Sequence, residues 1–120
     1  MNYTFKENQL DYETYYILRK SVKWNNWSRE QAEIALGNSY YTVTVFDNKV
    51  PIGMGRAVGD GIYFMIMDIV VKPEYQRMGI GSTIIHMLLE HIEKNMCVGS
   101  RVSVQLISCL LYTSDAADDT

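Results

Sequence analysis

The sequence predicts an α/β domain of the α+β kind, with one mixed sheet and elements in the order β-α-α-β-β-β-α-β. Three observations predict it. Apolar and polar residues alternate in short runs between positions 40 and 58, and these runs are punctuated by Asp47-Asn48 and Gly59-Asp60-Gly61, as in an antiparallel meander. The run 62–71 is almost wholly apolar, stops short of Pro73, and is followed by a glycine-bearing loop and a segment with apolar residues at helical spacing. Val102, Val104 and Leu106 then alternate again, so that strand, helix and strand form a crossover joining parallel strands.

Each element has its own signal. Residues 2–7 suit an edge strand. Asp11 precedes a helix carrying Tyr12, Tyr15, Tyr16, Ile17, Leu18 and Val22 on one face. Ser28 with Gln31 has the form of a capping box. It opens a second helix through Ala32, Ile34, Ala35 and Leu36, with Gly37 as its stop. Residues 40–46 read as a half-buried strand. In the next strand, 50–58, Pro51 predicts an edge position or a bulge. The run 62–71 suits the sheet centre. Residues 82–95 form a helix with Ile84, Ile85, Leu88, Leu89 and Ile92 inward, and 102–107 is the last strand.

At 120 residues and 48% hydrophobic, the chain suits one domain with a single core. Its basic residues are scattered, which gives nucleic acid no footprint. No apolar run is long enough to span a membrane, and the N-terminus lacks a signal-peptide profile, so the expected compartment is the cytoplasm. Cys97 and Cys109 make no disulfide framework, and no Cys/His cluster has metal-ligand spacing, so no metal is expected. Residues 109–119, Cys-Leu-Leu-Tyr-Thr-Ser-Asp-Ala-Ala-Asp-Asp, look like a translated sequencing adapter. The expected division is therefore a domain at 1–108 and a non-native tail at 109–120. Without the tail, 14 − 3 = 11 acidic residues face 11 basic ones, so the net charge of −3 implies no partner.

The stretch that carries chemistry runs from Val70 to Thr83. Glycine accepts positive φ and lets a ligand approach the backbone. The first N–H groups of a helix are unpaired and carry the positive end of its dipole. A glycine loop entering a helix therefore has the form of an anion site, to which Ser82 and Thr83 can add hydroxyls. A tight connection that binds nothing uses the same residues. No Gly-Lys-Ser/Thr occurs, which excludes a P-loop. A dinucleotide fingerprint read from Gly79 would place Ile84 where Gly or Ala is required. The pattern Q/R-x-x-G-x-G/A is filled completely, by Gln76-Arg77-Met78-Gly79-Ile80-Gly81.

Together with the preceding Asp68-Ile69-Val70-Val71-Lys72-Pro73-Glu74-Tyr75, that hexapeptide resembles the acetyl-CoA signature of the GNAT N-acetyltransferase superfamily. The resemblance covers 1–108 in element order, and 62–95 carries most of it. It implies acetyl-CoA as co-substrate. Its pyrophosphate would be held by the backbone of Gln76, Arg77, Met78, Gly79, Ile80 and Gly81, with Ser82 adjacent. Its pantetheine arm would lie along the main chain of Ile69, Val70 and Val71. The resemblance also implies a further helix and two strands after the fifth strand, which this chain is expected to lack. The implied reaction moves an acetyl group to a primary amine of a small molecule or peptide, and a homodimer stays open. The alternative is a CoA-binding or interaction module without catalysis, or an inactive fragment of the enzyme.

Such a transfer needs a neutral amine. One with pKa ~10.4 is only ~0.04% neutral at pH 7, a handicap of about 4–5 kcal/mol that a positioned base offsets in part. Asp68 is the expected base or amine anchor, or else an acid satisfied by a neighbouring N–H or by Arg56. Glu30 and Glu33 come second. The resemblance implies that the segment bearing Trp24 and Trp27, with Glu30, shapes the acceptor side, the rings suiting an aromatic or apolar amine or a cation, or else serving as core anchors. The family's usual tyrosine acid would fall beyond the fifth strand. Cys97 has no histidine partner and is not expected as a nucleophile, and His86 with Glu90 reads as a surface pair.

Overall fold

The structure, a computed structural model, describes residues 3–96 and 101–106. Its elements are β1 (Tyr3–Glu7), α1 (Tyr12–Ser21), α2 (Arg29–Gly37), β2 (Tyr41–Asp47), β3 (Val50–Gly59), β4 (Tyr63–Val71), a 3₁₀ turn (Pro73–Tyr75), α3 (Ile80–Lys94) and β5 (Ser103–Leu106). They form one mixed sheet in the order β1-β2-β3-β4-β5, antiparallel except for the parallel pair β4 and β5. This is the predicted α+β architecture. The residues expected as a tail, 109–120, lie outside the described residues, as does Cys97.

Local chemistry sets the helix ends. The Asp11 carboxylate accepts from Thr14 N at 2.9 Å and caps α1. Ser28 Oγ accepts from Gln31 N at 3.2 Å and caps α2. Gly37 is not the stop the sequence suggests. It is the last helical residue, and Asn38 closes the helix with φ −96° and a side-chain bond to Ile34 O at 3.0 Å. The buried stripe of α1 is also rotated from expectation. Tyr15, Leu18 and Arg19 point inward while Tyr16 and Ile17 face solvent, because residues three and four apart share a face. On α2 only Ala32 is buried, and Ile34 is exposed.

Two bulges shape the sheet. Val45 pairs with Gly53 but Phe46 pairs with Pro51, so β3 carries Ile52 as an extra residue beside the proline. Pro51 thus marks a bulge in a strand flanked on both sides, not an edge. Further along, Met54 pairs with Val70 and Arg56 with Met67, which sets Asp68 and Ile69 of β4 against Gly55 alone. Asp68 takes φ +55° there.

The second bulge is where β4 meets both helices. A Cβ on Gly55 would stand 2.5 Å from Ile84 Cγ2 and 2.6 Å from Ile69 Cδ1, so α3 packs directly on the β3 backbone. Arg56 points to the other face of β3, where it shares Asp68 with Arg19 of α1. Helices α1 and α3 therefore cover opposite faces of the sheet. Helix α3 begins at Ile80, two residues before the predicted start. Gly81 is consequently buried inside its first turn.

Candidate active site

Strand β4 ends in the loop that the sequence singled out. Lys72 N donates to Ile52 O at 2.8 Å, and Gln76 Nε2 donates to Val71 O at 2.9 Å, folding the first side chain of the hexapeptide back onto the strand end. Tyr75 Oη donates to Asp47 Oδ2 at 2.7 Å, and its ring meets that of Tyr3 edge-on at 6.0 Å. The hydrogen bond to Asp47 pushes the Tyr75 phenol above its ordinary pKa. Tyr3 Oη in turn donates to Met78 Sδ at 3.4 Å.

Arg77 and Gly79, on either side of Met78, both lie in the left-handed region, at φ +67° and +81°. Gly79 is the N-cap of α3 and supplies no side-chain cap. Thr83 is committed to the chain, since its N and Oγ1 both donate to Gly79 O, at 3.1 and 2.9 Å. Where a side chain on Gly79 would point, nothing lies within 4 Å. The Ile80 side chain is buried, Ser82 is half-buried, and Arg77 and Met78 are exposed. The loop thus brings two left-handed residues and a helix N-terminus together, with open space beside Gly79.

The neighbouring strand edge runs on past its partner. Strand β5 pairs with Tyr63 through Ile66, and among the described residues no strand pairs with this edge of β4 from Met67 to Val71. The side chains of Ile69, Val70 and Val71 are buried, so what the edge can offer a ligand is main chain.

Asp68 is not a free carboxylate. Its Oδ1 accepts from Arg19 Nη1 at 2.7 Å, and its Oδ2 accepts from Arg56 Nε at 2.8 Å and Tyr15 Oη at 2.9 Å. Both arginines are buried. Arg56 Nη1 also donates to Ser39 Oγ at 3.1 Å, and Arg19 Nη2 to Asn25 O at 2.7 Å. Burial, then the charge of Asp68, raises the Tyr15 pKa, so the phenol stays a donor. Tyr15→Phe removes one hydrogen bond to a charged group and is expected to cost about 1.5–3 kcal/mol of stability in urea unfolding followed by circular dichroism.

The tryptophans already hold a cation, and it belongs to the protein. Arg19 Cζ lies 5.0 Å from the Trp24 ring centre, 5.6 Å from that of Tyr15 and 5.9 Å from that of Trp27. Trp27 keeps an exposed side, and Glu30 is exposed in the first turn of α2. Glu33 pairs with Arg29 at 3.3 Å. Glu90 pairs with Lys94 at 3.4 Å instead of the expected His86. Among the described residues no three His, Cys, Asp or Glu side chains gather to hold a metal ion, and no helix is long and apolar enough to cross a membrane.

Comparison with known proteins places this arrangement. The sequence profile of the acetyltransferase (GNAT) family matches residues 3–114. The chain belongs to the GNAT family. This GNAT chain is 34% identical to a probable acetyltransferase from meticillin-resistant Staphylococcus aureus, with a TM-score of 0.80 over 90% of this chain and 80% of that one. A GNAT family acetyltransferase from Streptococcus pneumoniae is 30% identical, with a TM-score of 0.75 over 91% and 77% of the two chains. The uncharacterized N-acetyltransferase ycf52 of Pyropia yezoensis is 30% identical over 79 residues, 62% of this chain and 45% of that protein. The GNAT chain thus aligns with less than half the length of that curated relative.

The sequence reading missed Arg19 and Tyr15 as partners of Asp68. Arg19 lies one turn beyond Tyr15, and Trp24 follows five residues later, so a cationic position on the stripe that carries Tyr15, Leu18 and Val22 was the available signal.

Proposed function

We propose that this GNAT domain moves an acetyl group from acetyl-CoA to a primary amine of a small molecule or peptide. The observation that carries the reading is the loop itself: two left-handed residues, Arg77 and Gly79, lead into α3 beside a strand edge that runs past its β5 pairing. In this reading the backbone of Gln76 through Gly81, with Ser82, holds the pyrophosphate, and the main chain of Ile69, Val70 and Val71 holds the pantetheine arm. When bound, acetyl-CoA supplies the acetyl group as a reactive thioester. The loop bearing Trp24 and Trp27, with Glu30 of α2, receives the acceptor from the opposite side. The assigned compartment is the cytoplasm.

Asp68 already accepts three hydrogen bonds, from Arg19, Arg56 and Tyr15, which leaves one of its four lone-pair sites for a proton of the amine. That same observation favours a second reading, a domain that binds CoA without turning it over. Calorimetric titration of acetyl-CoA against ATP, followed by thiol-release assays on a panel of amines, tests both. Saturable binding of acetyl-CoA in preference to ATP with thiol release on adding amine is the expected result. Binding without release selects the second reading, and indifference between acetyl-CoA and ATP sinks both.

A further inference from the structure

The bulge at Asp68 carries one more step, which rests on the acetyl-CoA reading above. A non-glycine residue at φ +55° inside a strand is uncommon and must be held by its surroundings. Here the holders are Arg19, Arg56 and Tyr15, closing on one carboxylate. The bulge lies just after Ile66, the last β4 residue paired with β5. An extra residue bends and twists its strand and resets which side chains face which way. Ile69 reaches the α3 side, against Gly55, while Asp68 turns to α1. The course of the edge along Ile69, Val70 and Val71 is therefore set at Asp68.

We propose that Arg19 is a positioning residue for acetyl-CoA: acting through Asp68, it fixes the bulge that aims the β4 edge along which the pantetheine arm lies. Arg56 stands on the neighbouring strand and follows the sheet. Arg19 comes from α1, is anchored separately by Asn25 O, and is enclosed by the rings of Tyr15, Trp24 and Trp27. It is a fixed post against which the strand is bent. A forked guanidinium can bond the carboxylate and the loop carbonyl together, which a single ammonium does less well.

The test uses the full chain, Arg19→Gln and Arg19→Lys, and two calorimetric probes. Acetyl-CoA spans the loop and the strand edge, whereas adenosine 3′-phosphate 5′-diphosphate reaches the loop alone. Arg19→Gln leaves Arg56 and Asp68 as a neutral pair and should fold. Its acetyl-CoA affinity is expected to fall about tenfold while the nucleotide stays within about twofold, the size of one lost charged hydrogen bond felt at one end of the ligand. Arg19→Lys should fall between wild type and Arg19→Gln, and it decides by the same comparison if Arg19→Gln does not fold. Unchanged acetyl-CoA affinity in a folded variant, or parallel loss of both ligands, overturns the proposal. A wild-type chain that binds neither ligand overturns the acetyl-CoA reading itself.

Discussion

Gly55→Val is expected to destabilise the domain by about 3 kcal/mol or more, at the upper end of what forced overpacking costs. The first added carbon would sit 2.5 Å from Ile84 Cγ2, 2.6 Å from Ile69 Cδ1 and 3.3 Å from Leu88 Cδ1. All three neighbours are buried, so none can swing into solvent. Either α3 lifts from β3 or the bulge of β4 shifts, and both carry parts of the candidate site. Against a total of about 5–15 kcal/mol for a domain, the loss should appear as a large fall in urea midpoint. Gly37→Ala is the matched control. Nothing lies within 4 Å of its added carbon, and it should be neutral or stabilising by up to about 1 kcal/mol. A Gly55→Val protein with the wild-type midpoint would mean that α3 does not seat on β3 as described.

Gly79→Val is expected to weaken acetyl-CoA binding by about ten- to a hundredfold, which corresponds to about 1.4–2.8 kcal/mol. Space is not the obstacle, since nothing lies within 4 Å of the new carbon. The obstacle is φ +81°, which a β-branched residue adopts only under strain of about 1–3 kcal/mol. Relieving that strain reorients the backbone of the loop where it enters α3. Gly79→Asn should retain most of the affinity, because asparagine enters the left-handed region more readily. Calorimetry on both variants checks this. A folded Gly79→Val protein that binds acetyl-CoA as the wild type does would remove the loop from the phosphate site.

Periodicity and punctuation exposed the elements and their order, because alternation, helical spacing and turn residues are local properties. The hexapeptide was legible for the same reason, as its glycines and its strand and helix flanks are contiguous. What the sequence hid is long-range. Gly53 and Gly55 look like weak points in a strand until α3 is laid across them. Arg19 looks like a surface cation on a helix until Asp68, 49 residues away, takes it inward. The φ of Asp68 follows from a register mismatch between two strands, which no single stretch of sequence contains. The cation that Trp24 and Trp27 hold comes from the neighbouring helix, which their own stretch of sequence does not show.

The contact of Tyr3 with Met78 joins residues 75 positions apart. Closing so wide a span is entropically costly, and the cost is recovered only when the intervening strands have paired. The two ends of this brace belong to an edge strand and to the loop that leads into α3. Ordering of that loop is thereby tied to docking of β1. Hydrogen exchange would show the link as shared protection: amides of residues 3–7 and of 76–79 should open together, and a nick or deletion at the first strand should release the loop at the far side of the sheet. The loop then takes its final form late in folding, as a property of the completed sheet.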